Sequence, residues 1–557
     1  MPYEIYLVPG VSLKQKKKGS SWFAANAANI ILLCIILLGL YLSLGFFYGP
    51  SWINGSDDYI YAQAGRAYAS GNFTDQGVGT IHIRYLLYSG IGAFVKLMGY
   101  GQLSLAMFGV FTFVLTILFV YLIGLRLSGK ATGLIAAFLY SIFPLVAIQA
   151  PTVGDVVPMT FFLTLAVLLA VEGIESKKSK QRRNPLLAAA GFVSLIGFLV
   201  SPEALIGVFF ILVMMVIYFA YHRDKPSACA LLSYMAGVSI GVGAIALIGL
   251  LHTGSAAYLF MGENLASLGL KTPPFSVFMQ FLLPNNLISK TLASGVIHAP
   301  SIANAVALAR EYVDLGPTTE FKFFGLFGYA AVLCLAYLII SKERKAAVPA
   351  LWFLVTLLYL GFGSQGLSRY SFIVPYARYE VIFAPAIVLI IGMALSKLIS
   401  HAKRIHGYSG FALVLFVDIV LVAFAVTSIM TIRNFGYSER YGTYPLIEIG
   451  AYLDGLPSSV HIIGPSDIPW IIYVNSMHTN TISTGPLIME ETCAEIRNPF
   501  GDPIANGTYF VGPSNANFSS CGFREVYSPS HPAGFNSPYD LYWAVNFYNI
   551  SVYEHVP

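Results

Sequence analysis

Two adjacent acids, Asp57 and Asp58, follow directly on the first long apolar segment of the chain. A carboxylate held beside a membrane surface can accept the proton of a hydroxyl group as a general base. A phosphate that departs in the same step needs cationic neighbours rather than an acid. The pair therefore predicts base catalysis at the lipid–water boundary, on a sugar carried by a lipid phosphate. The alternative is structural, because Ser56, Asp57 or Asp58 could instead cap a helix.

Further acids occur at the predicted turns between membrane spans. Asp155 lies within 151–158, at the outer end of the hairpin between the third and fourth spans. An acid that faces lipid is costly, so we expect Asp155 to face a polar cavity, with capping of the fourth span as the alternative. Glu203 lies at the tip of the hairpin between the fifth and sixth spans, where Ser-Pro-Glu is also a common helix start.

The cationic candidates also fall near the predicted outer surface. His82 and Arg84 lie in the first outer loop, and Arg369 and Arg378 precede the tenth span. The planar guanidinium group of Arg can donate two parallel hydrogen bonds to a phosphate. Snorkelling to the lipid headgroups is the alternative, and we favour it for Arg369 but not for Arg378.

The sequence shows no paired Cys or His residues at metal-ligand spacing, so it predicts no metal site, and a need for divalent metal stays open. It also shows no glycine-rich phosphate loop for a nucleotide. That pattern fits a lipid-phosphate donor, which reaches the site through the bilayer.

The composition indicates a polytopic membrane protein. Of its 557 residues 56% are hydrophobic and 11% charged, against about 25% charged in an average soluble domain. The net charge of +5 gives no indication of a nucleic-acid partner. About eleven apolar segments approach the roughly 20 residues that a membrane crossing needs: 29–48, 103–127, 131–150, 156–174, 186–200, 202–221, 228–251, 323–340, 346–362, 379–399 and 409–431.

The positive-inside rule predicts a cytoplasmic N-terminus and an outer C-terminal segment. Basic clusters at 14–18, 177–183, 222–225, 341–345 and 397–406 all fall on one side. The first apolar run is then a signal anchor. Glycosylation sequons begin at Asn54, Asn72, Asn506, Asn517 and Asn549, all on the opposite side.

Cys493 and Cys521 also fall outside, where a disulfide can persist, although sequence alone does not establish their pairing. We therefore expect a transmembrane domain, 1–431, with outer loops 49–102 and 252–322, and an extracytoplasmic C-terminal domain, 432–557. Helical and strand patterns at 448–456, 460–464 and 470–474 predict a small α/β fold for the latter. The first outer loop is predicted to contain two surface helices. The second of these helices, at 86–98, is predicted to lie in the membrane interface.

The motifs resemble a known superfamily in their order and topology. They are Asp57-Asp58-Tyr59-Ile60-Tyr61-Ala62 with Arg66, then Arg84, Asp155 and Arg378-Tyr379. Over most of 1–431 the chain resembles GT-C polyprenyl-phosphate-dependent glycosyltransferases. It is most similar to the branch of dolichyl-phosphate-mannose protein mannosyltransferases and aminoarabinose lipid A transferases.

The resemblance implies a role for each matching residue. Asp57 would be the catalytic base, Asp155 would orient the acceptor or support the base, and Arg84 and Arg378 would bind the lipid phosphate. The chain departs from the pattern at Asp58, where the family usually has Glu, and lacks Lys-Pro-Pro around Arg84. It also lacks the Trp-Trp-Asp-Tyr-Gly motif of oligosaccharyltransferases, so transfer of a whole glycan to Asn is not expected.

The resemblance predicts inverting, mannosyltransferase-like transfer of a sugar from a polyprenyl phosphate to a hydroxyl of a protein, glycan or lipid. The outer face of an archaeal plasma membrane is favoured over the endoplasmic reticulum. One alternative is a lipid or solute transporter, which should show polar or broken helices near the midplane. Only Asp418, in the middle of the eleventh span, fits that alternative, and we expect a structural role for it. Another is a membrane-anchored protein whose C-terminal domain binds glycans.

Overall fold

The computed structural model describes residues 22–45, 56–71, 84–175, 180–222, 225–253, 325–362, 381–405, 407–457, 460–465, 482–485, 507–513, 518–519, 522–529 and 550–556. Its α-helices are α1 Trp22–Gly45, α2 Ser56–Ala69, α3 Tyr85–Met98, α4 Gln102–Ser128, α5 Lys130–Ser141, α6 Pro144–Gln149, α7 Val156–Glu175, α8 Lys180–Ile196, α9 Leu205–His222, α10 Lys225–Thr253, α11 Gly325–Ile340, α12 Ala347–Phe362, α13 Ala384–Ala402 and α14 Tyr408–Asp454. Its strands are β1 Ile462–Pro465, β2 Ile482–Gly485, β3 Tyr509–Pro513, β4 Phe523–Tyr527 and β5 Ile550–His555.

Helices occupy every apolar segment that the sequence predicts to cross the membrane. Within the described ranges, six are long and apolar enough to span a bilayer by themselves: Asn26–Gly45, Gln102–Ser128, Val156–Glu175, Ala228–Leu251, Val381–Ala402 and Tyr408–Arg433. Several of the others are shorter apolar helices, among them α3, α9 and α11. The chain is therefore a multi-pass membrane protein, as its composition indicates.

The third predicted span, 131–150, is not a single helix. It divides into α5 and α6, and Pro144 lies at the first turn of α6. Phe143, directly before this proline, has an extended backbone with φ −65° and ψ 115°. Proline lacks an N–H group and disfavours helical geometry in the residue before it, so α5 ends at Ser141. The short helix α6 then leads into the turn that carries Asp155.

Helix α13 lies at the centre of the helical bundle. Of the 18 most apolar consecutive residues in its span, Val381–Ala402, 83% are buried within the protein. The corresponding share is 22% for Asn26–Gly45 and 17% for Tyr408–Arg433. All of its residues from Ala384 to Leu395 are buried. An apolar helix that is buried on every side belongs to a core, whereas the spans of α1 and α14 lie at the periphery.

The segment predicted to be the first outer loop contains two helices, α2 and α3, as the sequence predicts. They pack closely through two glycines, since a Cβ atom on Gly92 would lie 2.9 Å from the carbonyl oxygen of Gly65. The inward face of α3 carries Leu87, Tyr88, Ile91 and Val95, whereas Leu97 is 80% exposed. This amphipathic pattern matches the helix predicted at 86–98.

The last helix, α14, is 47 residues long and continues well past the span predicted at 409–431. It absorbs most of the separate helix predicted at 448–456. A sheet with strand order β2-β1-β3-β5-β4 follows it. Strand β1 pairs in parallel with β2 and β3, whereas β5 pairs antiparallel with β3 and β4. The predicted strand at 460–464 overlaps β1, and the one at 470–474 lies outside the described residues.

Candidate functional site

Helix α2 begins at Ser56 and therefore places Asp57 and Asp58 in its first turn. Residues four positions apart lie on one face of a helix, so Asp57 shares a face with Tyr61 and Asp58 shares one with Ala62. Tyr61 and Ala62 are 4% and 1% exposed. Positions 57 and 58 therefore lie on the same sides of α2 as these two buried residues.

Four tyrosines fill the space between α2 and α3. The ring of Tyr88 lies 5.9 Å from that of Tyr61 and 5.8 Å from that of Tyr68. Tyr68 also packs edge to face on Tyr85, with centroids 5.7 Å apart. These are favourable distances for aromatic pairs, which makes the hairpin of α2 and α3 a rigid support for the first turn of α2.

Arg84, the residue before α3, connects this hairpin to the membrane bundle. Its guanidinium carbon lies 4.9 Å from the ring centroid of Tyr61, in a cation–π contact. The same guanidinium group forms an ion pair with the carboxylate of Asp155, whose side chain is 6% exposed against 23% for Arg84. Two residues that lie 71 positions apart in the sequence therefore meet beside Tyr61.

Asp155 is held by a tight turn between α6 and α7. The hydroxyl of Thr152 donates to the carbonyl oxygen of Gln149 at 2.7 Å, and the backbone N–H of Gly154 donates to that hydroxyl at 3.2 Å. The carbonyl oxygen of Asp155 accepts the N–H of Met159 at 2.8 Å, which starts α7. The carboxylate of Asp155 is thus positioned at a helix start but is paired with Arg84.

Gly109 on α4 allows this turn to lie directly against the bundle. A Cβ atom at position 109 would collide with the carbonyl oxygen of Ala150 and lie 3.3 Å from that of Thr152. Only a glycine lets these carbonyl groups approach α4 so closely. The close packing of the turn that carries Asp155 against α4 therefore depends on glycine at position 109.

Arg66 anchors the other end of α2. Its guanidinium carbon lies 4.4 Å from the ring centroid of Tyr100, just before α4. Burial lowers the pKa of Arg66 and raises that of Tyr100. The charge of Asp454, at the end of α14, also acts on Arg66. Arg66 therefore packs on a ring that follows α3, whereas Arg84 precedes α3.

Glu203 lies in a short 3-10 turn, Pro202–Ala204, and accepts a hydrogen bond from the hydroxyl of Ser201. This corner adjoins the start of α3, because Tyr85 and Leu86 pack against the apolar cluster of Leu195, Phe198, Leu199 and Ile245. Glu203 is therefore on the same side of the bundle as Arg84.

Several predicted site residues are not described by the structure. His82, Arg378, Cys493 and Cys521 lie outside the described residues, as does Arg369. The phosphate-binding and disulfide predictions that depend on them stay predictions. Within the described ranges, His, Cys, Asp and Glu form no group of three that could hold a metal ion.

The residues that support this site are hard to recognise in the sequence. Tyr88 and Gly109 carry no chemistry that a motif would reveal, yet they hold the residues that do. One usable signal was the spacing of the tyrosines, since Tyr61 and Tyr68 are seven residues apart and Tyr85 and Tyr88 are three apart. Both spacings place two rings on one helix face. For Gly109, nothing in the sequence alone indicates the close approach.

Comparison with known proteins shows which of them share this architecture. Residues 90–217 match the family described as dolichyl-phosphate-mannose-protein mannosyltransferase. The fold is similar to that of ArnT from Cupriavidus metallidurans in the apo state, with TM-score 0.61, 12% identity, and coverage of 96% of this chain and 98% of that one. ArnT bound to undecaprenyl phosphate gives TM-score 0.59 and 13% identity, over 96% of this chain and 99% of the other.

A third similar structure is the oligosaccharyltransferase of Archaeoglobus fulgidus tethered to an acceptor peptide containing the NVT sequon. It gives TM-score 0.55 and 14% identity, over 88% of this chain and 70% of that one. No protein of curated function has a sequence that matches this one. The resemblance to GT-C superfamily glycosyltransferases that the motifs indicate is confirmed, with identities this low establishing the shared fold rather than a shared substrate.

Proposed function

We propose that this protein transfers a sugar, with inversion, from a polyprenyl phosphate to a hydroxyl acceptor at the outer membrane surface. The observation that carries the proposal is the ion pair of Arg84 and Asp155 against Tyr61, four residues after Asp57 on α2. Tyr61, Arg84 and Asp155, which belong to three separate sequence motifs, are therefore in contact through Arg84. The similarity in fold to ArnT and to an oligosaccharyltransferase supports lipid-linked sugar transfer.

Asp57 is proposed as the base. It takes the proton of the acceptor hydroxyl while the oxygen forms a bond to the anomeric carbon, and the bond from that carbon to the phosphate oxygen breaks. The first turn of a helix also favours a negative charge, which suits a carboxylate that must be ionised to act. Asp58, the next residue of the same turn, is the alternative base.

The phosphate gains a negative charge when the sugar leaves, so cations beside it stabilise the transition state. Arg84 is proposed to bind it, with Arg378 and His82. In the structure Asp155 neutralises Arg84. A donor phosphate that binds Arg84 competes with this carboxylate, which then becomes available to orient the acceptor or to support Asp57.

The proposed orientation places the N-terminus in the cytoplasm, with eleven crossings and an outer α/β domain at 432–557. Charged contacts support it, because Lys345 pairs with Glu175 at 3.2 Å and Lys397 pairs with Glu343 at 3.0 Å. Glu175 ends α7, whose other end follows Asp155. The ionic cluster and the candidate site therefore lie at opposite ends of the bundle, with the basic residues on the cytoplasmic side.

The donor, acceptor and location are proposed as classes. The donor is a mannose-like sugar on dolichyl phosphate, the acceptor is a protein, glycan or lipid hydroxyl, and the membrane is an archaeal plasma membrane. Nothing in the described structure favours transport, because Asp418 lies exposed on α14 rather than facing the interior of the bundle.

The test is sugar transfer by the purified full chain in lipid. A panel of labelled polyprenyl-phosphate sugars is offered with acceptor extracted from native membranes. We expect consumption of one donor by the wild type and none by Asp57→Asn. Glu175→Gln, which changes a carboxylate at the cytoplasmic end of α7, is the matched control and should retain activity.

Equal consumption by the wild type and Asp57→Asn would move the base to Asp58 or Asp155. Failure of the wild type to use any donor in the presence of native acceptor would refute the proposal.

A further inference from the structure

Arg66 lies in the last turn of α2, the helix whose first turn carries Asp57. Its guanidinium carbon is 4.4 Å from the ring centroid of Tyr100, and the group also donates a hydrogen bond to the hydroxyl of Tyr100. The side chain is half-buried, and a charge taken out of water needs an opposite charge close by. Tyr100 is neutral and does not supply that charge.

Asp454 is an acid at the end of a helix where an acid is unfavourable. It is the last residue of α14, and the last turn of that helix contains no basic residue. The C-terminal end of a helix carries a partial negative charge, which repels a carboxylate. The charge of Asp454 acts on both Arg66 and Tyr100, which places it beside these two side chains. Arg66 and Asp454 therefore each supply the charge that the other needs.

The final turns of α14 are also fixed to the C-terminal sheet. The ring of Tyr452 stacks on that of Tyr527 in β4, with centroids 4.5 Å apart and an angle of 11° between the planes. The hydroxyl of Tyr527 donates to the carboxylate of Glu448 at 3.5 Å. Ile449 and Leu453, on the same turns, are completely buried. The end of α14 therefore contacts the sheet through one set of side chains and Arg66 of α2 through another.

We propose that Asp454 and Arg66 form the contact through which the C-terminal domain holds α2, and with it Asp57, in the reactive position. This rests on the proposed function, which gives Asp57 its role as the base. Arg66 and Asp454 are positioning residues, since neither contacts the sugar or the phosphate. Because α2 is one continuous helix, a shift at its last turn also displaces its first turn.

Hydrogen exchange on the full chain in lipid tests the contact without a sugar donor. Asp454→Asn should lower the protection factors of α2 about 10-fold, the order expected for loss of one charged hydrogen bond, with little change in α13 and β3. Asp454→Glu keeps the charge and should retain most of the protection. Glu525→Gln is the matched control, because that carboxylate accepts a hydrogen bond from Ser551 within the sheet. It should leave α2 unchanged.

A double substitution tests whether the two residues act together. If they do, Arg66→Gln combined with Asp454→Asn should lower the protection of α2 no more than the larger of the two single effects. Additive losses, or full protection of α2 in Asp454→Asn, would overturn the contact. Equal losses in α2, α13 and β3 would assign Asp454 to overall stability and would overturn the positioning role.

Single-turnover sugar transfer tests the effect on Asp57. In Asp454→Asn the rate at saturating donor should fall about 10-fold or more, as expected for a base displaced by a fraction of an ångström to 1 Å. The dissociation constant of the donor should not change, because Arg84 keeps its contacts with Asp155 and Tyr61. Asp454→Glu should restore most of the rate.

Weaker donor binding at an unchanged rate, or an unchanged rate despite lower protection of α2, would overturn the positioning role. A wild type that transfers no sugar would refute the proposed function instead. Hydrogen exchange would then still decide whether Asp454 holds α2 through Arg66.

Discussion

At the scale of single residues, Asp155 and Arg84 depend on each other. A carboxylate that is 6% exposed would be costly to bury alone, and the guanidinium group of Arg84 compensates for it. Tyr61 fixes the guanidinium from the other side by a cation–π contact. The pair therefore has two roles that substitution can separate, one in stability and one in chemistry.

Arg84→Gln should lower stability by about 1–3 kcal/mol, because it leaves a buried carboxylate without its cation. The double substitution Arg84→Gln with Asp155→Asn should recover much of that loss, since two neutral amides can pair. Activity should fall by about 10²–10³ in both variants, because neither presents a cation to the leaving phosphate. Thermal unfolding in detergent and single-turnover sugar transfer measure the two effects.

A double variant that regains activity together with stability would contradict a chemical role for Arg84. The matched control is Arg126→Gln, which removes a guanidinium paired with Glu172 but exposed and at the other end of the bundle. It should change stability little.

At the scale of elements, the position of Asp155 depends on a turn that rests on α4. The break at Pro144 creates α6, the hydrogen bonds of Thr152 close the turn, and Gly109 lets it approach α4. None of these residues contacts a reacting group in the proposed mechanism. They set where the carboxylate lies, which matters because a displacement of about 1 Å can cost 10²-fold in rate.

Gly109→Ala tests this dependence. Its new Cβ atom would collide with the carbonyl oxygen of Ala150, so the turn must move away from α4. We expect a loss of about 1–3 kcal/mol in stability and a reduction of roughly 10²-fold in the rate of transfer. Gly243→Ala is the control, because a Cβ there would meet no atom within 4 Å. Wild-type transfer by Gly109→Ala would show that the turn tolerates the movement.

At the scale of the whole molecule, the C-terminal sheet contains a titratable group, His461, whose pKa differs from its ordinary value. Strand β1 begins just after His461, and the backbone N–H of Tyr509 donates to the carbonyl oxygen of His461 at 2.8 Å. Burial lowers the pKa of His461, and the Nε2 atom of its side chain has no hydrogen-bond partner in the described structure. The sheet therefore holds a histidine that is more stable neutral than charged.

Acid should weaken the sheet before it affects the bundle. Below pH about 6.5 the unfolded chain binds a proton that folded His461 resists. The contribution of His461 to stability is therefore full above that pH and is lost as the pH falls toward the lowered pKa of the folded state. Hydrogen exchange at pH about 7.5 and about 5.5, corrected for the slower intrinsic exchange in acid, should show lower protection factors for β1 and β3 at the lower pH, with little change in α13.

His461→Gln should remove most of this pH dependence, whereas His401→Gln, at an exposed position near the end of α13, should not. Equal acid sensitivity in wild type and His461→Gln would assign the effect to another group.

The sequence by itself determined what kind of molecule this is. Apolar runs of about 20 residues indicate helices that cross a membrane, because a helix of that length spans the lipid and pairs its own backbone groups there. The positions of the helices within the predicted spans followed from that constraint. The third predicted span was wrong as a single helix because its apolar composition concealed the effect of Pro144. The length of α14 was missed because hydropathy marks where a helix leaves the membrane and not where it ends.

The chemistry-bearing residues were also readable in advance, since acids and arginines beside apolar spans are conspicuous. Only the tertiary structure decided that Arg84 pairs with Asp155 and rests on Tyr61, and that Arg66 instead contacts Tyr100. Contacts between residues far apart in sequence depend on how closely their backbones approach. At Gly109 and Gly92 the backbones approach closely because glycine has no Cβ atom. Hydropathy placed Asp418 within a span, but the direction it faces was fixed by which side of α14 found partners in the bundle.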